Sequence, residues 1–105
     1  MLIQINTDRN IEGREELAGR VEEKIRSALG RFDERLTRIE VHLGDENSDK
    51  KLGEDDKRCL LEGRPAGLAP IAVDHRAPTM ELAVDGAIDK FRRALDSEIG
   101  KRRQR

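Results

Sequence analysis

TRIEVHL, residues 37–43, is the stretch that decides the fold. Ile39, Val41 and Leu43 fall on one side of an extended chain, and Arg38, Glu40 and His42 fall on the other. Successive side chains of a strand point to opposite faces, so this alternation describes a strand covered on one face only. Any helix in the protein must therefore pack from that single side.

On the N-terminal side, Arg14 to Phe32 predicts a helix with Leu17, Val21, Ile25, Ala28 and Phe32 at helical spacing, with Gly13 near its start and Gly30 near its end. A polar turn at 7–12 separates it from a short strand, Leu2 to Asn6, in which Ile3 and Ile5 share a face. On the C-terminal side, GDENSDKKLGEDD (44–56) is too polar for anything but a loop. Lys57 to Arg64 reads as a strand with Cys59 and Leu61 on one side, PAGLAP (65–70) as a turn, and Ile71 to His75 as the last strand. Pro78 and Thr79 open a final helix, with Thr79 as its N-cap. That helix continues through AVDGAIDKFRRALDSEIGKRRQR (83–105), where Val84, Ala87, Ile88, Phe91 and Leu95 make a core-facing stripe.

The order is β-α-β-β-β-α. A β-α-β unit in one sheet implies a right-handed parallel crossover, and the short connections after it suit antiparallel hairpins. The expected fold is an α+β two-layer sandwich: a four-stranded mixed sheet with two helices on one face, forming a single domain over residues 1–105.

Composition narrows the function. Charged residues make up 41 % and aromatics 2 %, so the core must be aliphatic. With 21 Lys and Arg against 22 Asp and Glu the net charge is −1, and only the arrangement of charge can argue for a nucleic-acid partner. One cysteine, Cys59, allows no intrachain disulfide and suits a reducing compartment. MLIQINTDRN lacks the order of a signal peptide, and no apolar run approaches the ~20 residues of a membrane span. A cytoplasmic protein without a membrane partner is expected.

The arrangement of charge is informative. At ~100° per residue, Lys90, Arg93 and Lys101 lie on one flank of the last helix's apolar stripe, and Asp85, Asp89 and Asp96 lie on the other. Arg20, Lys24 and Arg31 cluster on one flank of the first helix, away from Glu15, Glu22 and Asp33. KRRQR (101–105) adds a basic tail, with Lys101, Arg102 and Arg103 at the negative end of the helix dipole. These eight cations, Arg20, Lys24, Arg31, Lys90, Arg93, Lys101, Arg102 and Arg103, are the candidate contacts to RNA phosphates. Ordinary i,i+4 pairs such as Glu16 with Arg20 and Asp89 with Arg93 compete with that reading. If the helices run parallel, the basic flank of one faces the acidic flank of the other, and some cations are taken up in cross-helix ion pairs.

The segments RVEEKIRSALGRFDERLTRIEVHL (20–43) and AVDGAIDKFRRAL (83–95), set in this element order, resemble the ribosome hibernation-promoting factors. These are also called ribosome-associated inhibitor or sigma-54 modulation proteins. The most specific pieces are VEEK (21–24), RFDERLTRIEV (31–41) and the pattern from Ala87 to Leu95, and the likeness runs from Ile3 to Lys101. The resemblance implies a factor that binds ribosomal RNA in the decoding channel of the small subunit and blocks messenger and transfer RNA when growth slows. It implies no cofactor and no small-molecule substrate, and carries the family's basic helix positions onto Lys24, Arg31, Lys90, Arg93 and Lys101. The chain ends without the extra domain by which long members pair ribosomes, so a short form is expected. The 44–56 loop, longer and more acidic than in short members, and RPAGLAP (64–70) in place of a simpler hairpin mark a divergent subfamily.

Other chemistries find little support. Asp45, Asn47 and Asp49 begin like a calcium loop, but Lys50 stands where glycine is needed and Asp56 where a bidentate glutamate belongs. Cys59 and His42 point to opposite sides of the sheet, and no paired metal-ligand spacing occurs with His75 or elsewhere. There is no nucleophile–base constellation, so no enzyme is expected. Phe32 and Phe91 both sit on apolar stripes, which argues against base stacking on exposed aromatics. The alternative is a protein-interaction module using the exposed sheet face or the 44–56 loop.

Overall fold

A computed structural model describes residues 1–9, 11–46 and 55–103. Its elements are β1 (Leu2–Thr7), α1 (Arg14–Leu29), a single 3₁₀ turn (Gly30–Phe32), β2 (Leu36–Asp45), β3 (Lys57–Pro65), β4 (Ile71–Ala77) and α2 (Met80–Arg103). The sheet order is β1-β2-β3-β4, with β1 parallel to β2 and the other neighbours antiparallel. The architecture is the expected α+β fold with a four-stranded mixed sheet.

Alternation along the strands places the core. Ile39, Val41 and Leu43 pair across β3 with Gly63, Leu61 and Cys59, and all six are buried. Ile3 and Ile5 lie beside Ile39 and Val41 in parallel register and pack against the same core. Leu17, Val21, Ile25 and Leu29 of α1 close this layer on one side, and Ala83, Val84, Ala87, Ile88, Phe91 and Leu95 of α2 close it on the other. Both helices thus bury their stripes on one sheet face, where each large aliphatic or aromatic side chain contributes about 1.5–3 kcal/mol.

The structure refines the boundaries in physically intelligible ways. α1 ends at Leu29 rather than Phe32, because the chain tightens into the 3₁₀ turn. Leu29 rather than Ala28 is therefore the fully buried residue, while Phe32 still reaches the core. β2 starts one residue before Thr37, and a register shift between Leu36 and Arg38 lets both Leu36 and Ile39 point inward although they are three apart. Thr37 Oγ1 donates to the Arg64 carbonyl across the irregularity, at 2.9 Å. Gly44 and Asp45, expected in the loop, extend the β2–β3 ladder to the pair Asp45 and Lys57, and Lys57 Nζ lies 3.3 Å from Asp45 and 3.0 Å from Asp56. Glu46 N donates to Asp56 O at 2.8 Å beyond the last pair. The centre of the polar loop, with Asn47, Asp49 and Lys50 of the calcium-like spacing, lies outside the described residues.

α2 begins at Met80, earlier than the apolar stripe alone indicates. Thr79 Oγ1 accepts a hydrogen bond from Leu82 N at 3.2 Å, as an N-cap does. No helix among the described residues is long and apolar enough to cross a membrane.

Candidate nucleic-acid interface

The two helices run parallel across the sheet, and their charges meet along the seam. Lys24 Nζ of α1 is 2.8 Å from Asp85 and 3.8 Å from Glu81 of α2. One turn earlier, Arg20 faces Glu81 at 3.8 Å, and two turns later Arg31 donates to Asp96 at 3.2 Å. The hydrogen bond from Lys24 to Asp85 raises the Lys24 pKa against the opposing effect of burial, with Asp85 and Glu81 adding coulombic support. A shallow trough of about 570 Å³ follows the seam, lined among others by Arg20, Lys24, Ser27, Asp85 and Arg92. Arg20 and Lys24 of α1 and Arg31 of the 3₁₀ turn, all expected to contact RNA, are therefore held by α2 carboxylates. Arg31 also lies over the Phe32 ring, 4.5 Å from its centroid.

The α2 cations look the other way. Lys90 Nζ donates to the Asp74 carbonyl of the edge strand β4 at 2.9 Å, tying the helix to the sheet. Arg93 is 78 % exposed and shares Asp89 with Arg92, so two guanidinium groups lean on one carboxylate. Lys101 is 69 % exposed, with Glu98 at 3.4 Å; Lys24, by contrast, is 33 % exposed. Ile99 is packed against the core, and Lys101 follows it in the last turns of α2, with Arg102 and Arg103 ending the helix. Gln104 and Arg105 of the basic tail lie outside the described residues. Across the helical face the order is basic row, acidic row, then the mixed and basic far flank of α2.

The outer face of the sheet is a lattice of opposite charges. Arg38 pairs with Glu40 at 2.5 Å, Arg58 with Asp74 at 3.1 Å, Arg64 with Glu62 at 3.9 Å, and Arg76 with Glu46. Each of these arginines is neutralised by a neighbour across or along the strands, so the described residues of this face present no one-signed field to a polyanion. The period of two places Arg38 beside Glu40 and Arg64 beside Glu62 within one strand, but the pairs Arg58 with Asp74 and Arg76 with Glu46, 16 and 30 positions apart, depend on strand register. Arg92 and Arg35 are further exposed or half-exposed cations near the helical face that inspection of the helix stripes passed over.

Cys59 is fully buried, and burial pushes its thiol up to about 12, so it is a core residue rather than a nucleophile. His42 lies on the outer sheet face, and His75 packs on the inner face against Gly86 of α2. The arrangement offers charged helix surface and shape.

Comparisons with known proteins agree with this fold. The family described as sigma 54 modulation protein / S30EA ribosomal protein matches residues 3–103. Among solved structures, the N-terminal domain of Protein Y from Thermus thermophilus superposes with a TM-score of 0.62 at 21 % identity, covering 87 % of this chain and 91 % of that one. A ribosomal subunit interface protein from Coxiella burnetii superposes with a TM-score of 0.65 at 18 % identity, covering 100 % of both chains. At these identities the two structures share the fold. No curated protein sequence matches the chain.

Proposed function

The chain belongs to the sigma 54 modulation protein / S30EA ribosomal protein family, and from that premise we propose that it is a ribosome-associated hibernation factor. It seats in the decoding channel of the small subunit and keeps messenger and transfer RNA out by filling their space. The observation that carries the reading is the family match over essentially the whole domain, from residue 3 to residue 103. The surface chemistry supports it. The two most exposed cations of the ion pairs described above, Arg93 and Lys101, lie on α2, whereas the arginines of the outer sheet face pair with carboxylates along and across the strands.

The contacts proposed are to phosphates, which position a protein on structured RNA without reading its sequence. Arg93 and Lys101 form the exposed end of the interface on α2, and Arg102 and Arg103 follow them in the helix. Arg20, Lys24 and Arg31 form its second row. Lys90 lies on the β4 side of α2, which it anchors to the sheet edge. The mechanism is steric and uses no covalent step.

The test is co-sedimentation of labelled protein with purified small subunits at several salt concentrations; a label is needed because the chain has no Trp or Tyr. Binding is expected to be stoichiometric and to weaken with salt. The double reversal Arg93→Glu and Lys101→Glu should weaken it at least about tenfold. It should also flatten the salt dependence by roughly 1.5 in log–log slope, at about 0.7–0.9 for each phosphate no longer neutralised. A folded double variant that binds as the parent does, or a parent absent from every small-subunit fraction, overturns the proposal.

A further inference from the structure

We propose that Glu81, Asp85 and Asp96 of α2 set the affinity of this protein for RNA by standing in for phosphates against Arg20 and Lys24 of α1 and Arg31 of the 3₁₀ turn that follows it. The inference rests on the functional reading above and adds to it a set of affinity-determining residues that lower binding. Its basis is geometric. Each of these three cations is in range of an α2 carboxylate, at 3.8, 2.8 and 3.2 Å respectively. The partners lie 61 to 65 residues apart in the chain, so the pairing is tertiary and depends on the parallel setting of the helices.

The pairs lie in the open. Lys24 is the most covered cation, while Arg20 and Arg31 are 56 % and 61 % exposed, and the three carboxylates are 54–59 % exposed. Groups this exposed are available to a phosphate from solvent, but the phosphate must take the cation from a carboxylate already in place. RNA laid along the seam also meets the acidic row itself. Cations paired across the seam therefore contribute to binding only by the difference between the two anions, whereas Arg93 and Lys101 are more exposed, at 78 % and 69 %, and pair within their own helix with Asp89 and Glu98. The protein has a more exposed set of cations on α2 and a set restrained across the seam by carboxylates of the other helix.

Exposed ion pairs of this kind each hold a cation by a factor of a few. Neutralising all three carboxylates without changing their shape, by Glu81→Gln, Asp85→Asn and Asp96→Asn, is expected to tighten binding to small subunits about tenfold. The salt dependence should also steepen by roughly 2 in log–log slope as α1 cations engage phosphates. Removing three negative charges anywhere raises the net charge, so the control is matched on the opposite face. Glu40→Gln, Glu62→Gln and Asp74→Asn remove as many carboxylates and release Arg38, Arg64 and Arg58 from comparable pairs on the outer sheet.

The proposal requires the seam variant to bind more tightly and with a steeper slope than both the parent and the sheet-face control. Equal tightening in the two variants means net charge acts alone and overturns it. So does a seam variant with the parent's affinity and slope, in which case parental binding still upholds the functional reading. If neither parent nor seam variant binds, both readings fall together. Asp85→Asn alone, which removes the closest carboxylate, is the second variant should the triple change disturb folding, and it should tighten binding about twofold.

Discussion

Gly63 lets β3 pass close beneath the ring of Phe91, and replacing it by alanine tests whether this packing holds the protein together. Gly63 lies on the inner face of β3, paired with Ile39, directly under the ring of Phe91. A Cβ there would stand 2.2 Å from Phe91 Cζ and 2.6 Å from Cε1, where ordinary contact begins near 3.4 Å. The ring must therefore retreat by about 1.2 Å, and it is fully buried between strands and helix with no solvent to move into. Overpacking a close-packed core costs about 1–3 kcal/mol, and a displacement of this size belongs at the upper end. At roughly 4–8 °C per kcal/mol for a domain near this length, Gly63→Ala should lower Tm by at least about 10 °C, read by circular dichroism. Phe91→Leu shortens the opposing side chain, so in that background the same glycine change should cost at least about 1 kcal/mol less, a coupling expected of residues that touch. A Gly63→Ala protein within about 0.5 kcal/mol of the parent refutes the reasoning, and strict additivity in the cycle would show that the two residues do not meet.

Further outcomes rest on other parts of the structure. Thr79→Ala removes the acceptor for Leu82 N and should destabilise the protein by about 1 kcal/mol in urea titration, with Thr79→Ser close to the parent. Gly86→Ala places a Cβ 2.1 Å from the His75 ring and should destabilise the parent. In a His75→Ala background the same change should stabilise by roughly 0.5–1 kcal/mol, because only the helix preference of alanine over glycine remains. The Cys59 thiol titrates near 9.0 in an unfolded chain and is pushed to about 12 by burial in the folded one. Below pH 9 both forms are protonated, so the stability linked to this group is intact. Above it the unfolded form loses its proton first and stability falls by roughly 1.4 kcal/mol per pH unit. Denaturation midpoints measured from pH 8 to 11 should show this fall in the parent and a smaller one in Cys59→Ala.

The fold was legible because the strands carry a one-faced pattern. Ile39, Val41 and Leu43 announce the covered side of β2, and Cys59 with Leu61 does the same for β3, so two helices had one face to share. Strand ends were less legible. Gly44, Asp45 and Lys57 show no apolar alternation, and their pairing comes from ladder hydrogen bonds and the Lys57 ion pairs. Leu36 breaks the period of two, which only the register shift before Arg38 reconciles. Nothing local to β3 calls for the glycine at 63, whose reason is a ring 28 residues away in the chain.

The candidate interface shows the same division. Sorting of charge on each helix is visible from its own period, and a basic flank facing an acidic one follows only if the helices run parallel, as they do. Which pairs form is a matter of helix offset: Arg20 meets Glu81, Lys24 meets Asp85 and Arg31 meets Asp96. Residue spacing within one helix does not contain that offset, since the sheet beneath sets it. The same holds for Lys90, whose partner is a backbone carbonyl of β4 rather than a side chain.

The most direct measurement of the central claim is an electron cryo-microscopy reconstruction of small ribosomal subunits saturated with the protein. Density for the protein is expected in the decoding channel, with the α1–α2 face against RNA backbone, Arg93 and Lys101 at phosphates, and the sheet face turned away. Density outside the channel, or a domain that presents its sheet face to the RNA, would contradict it.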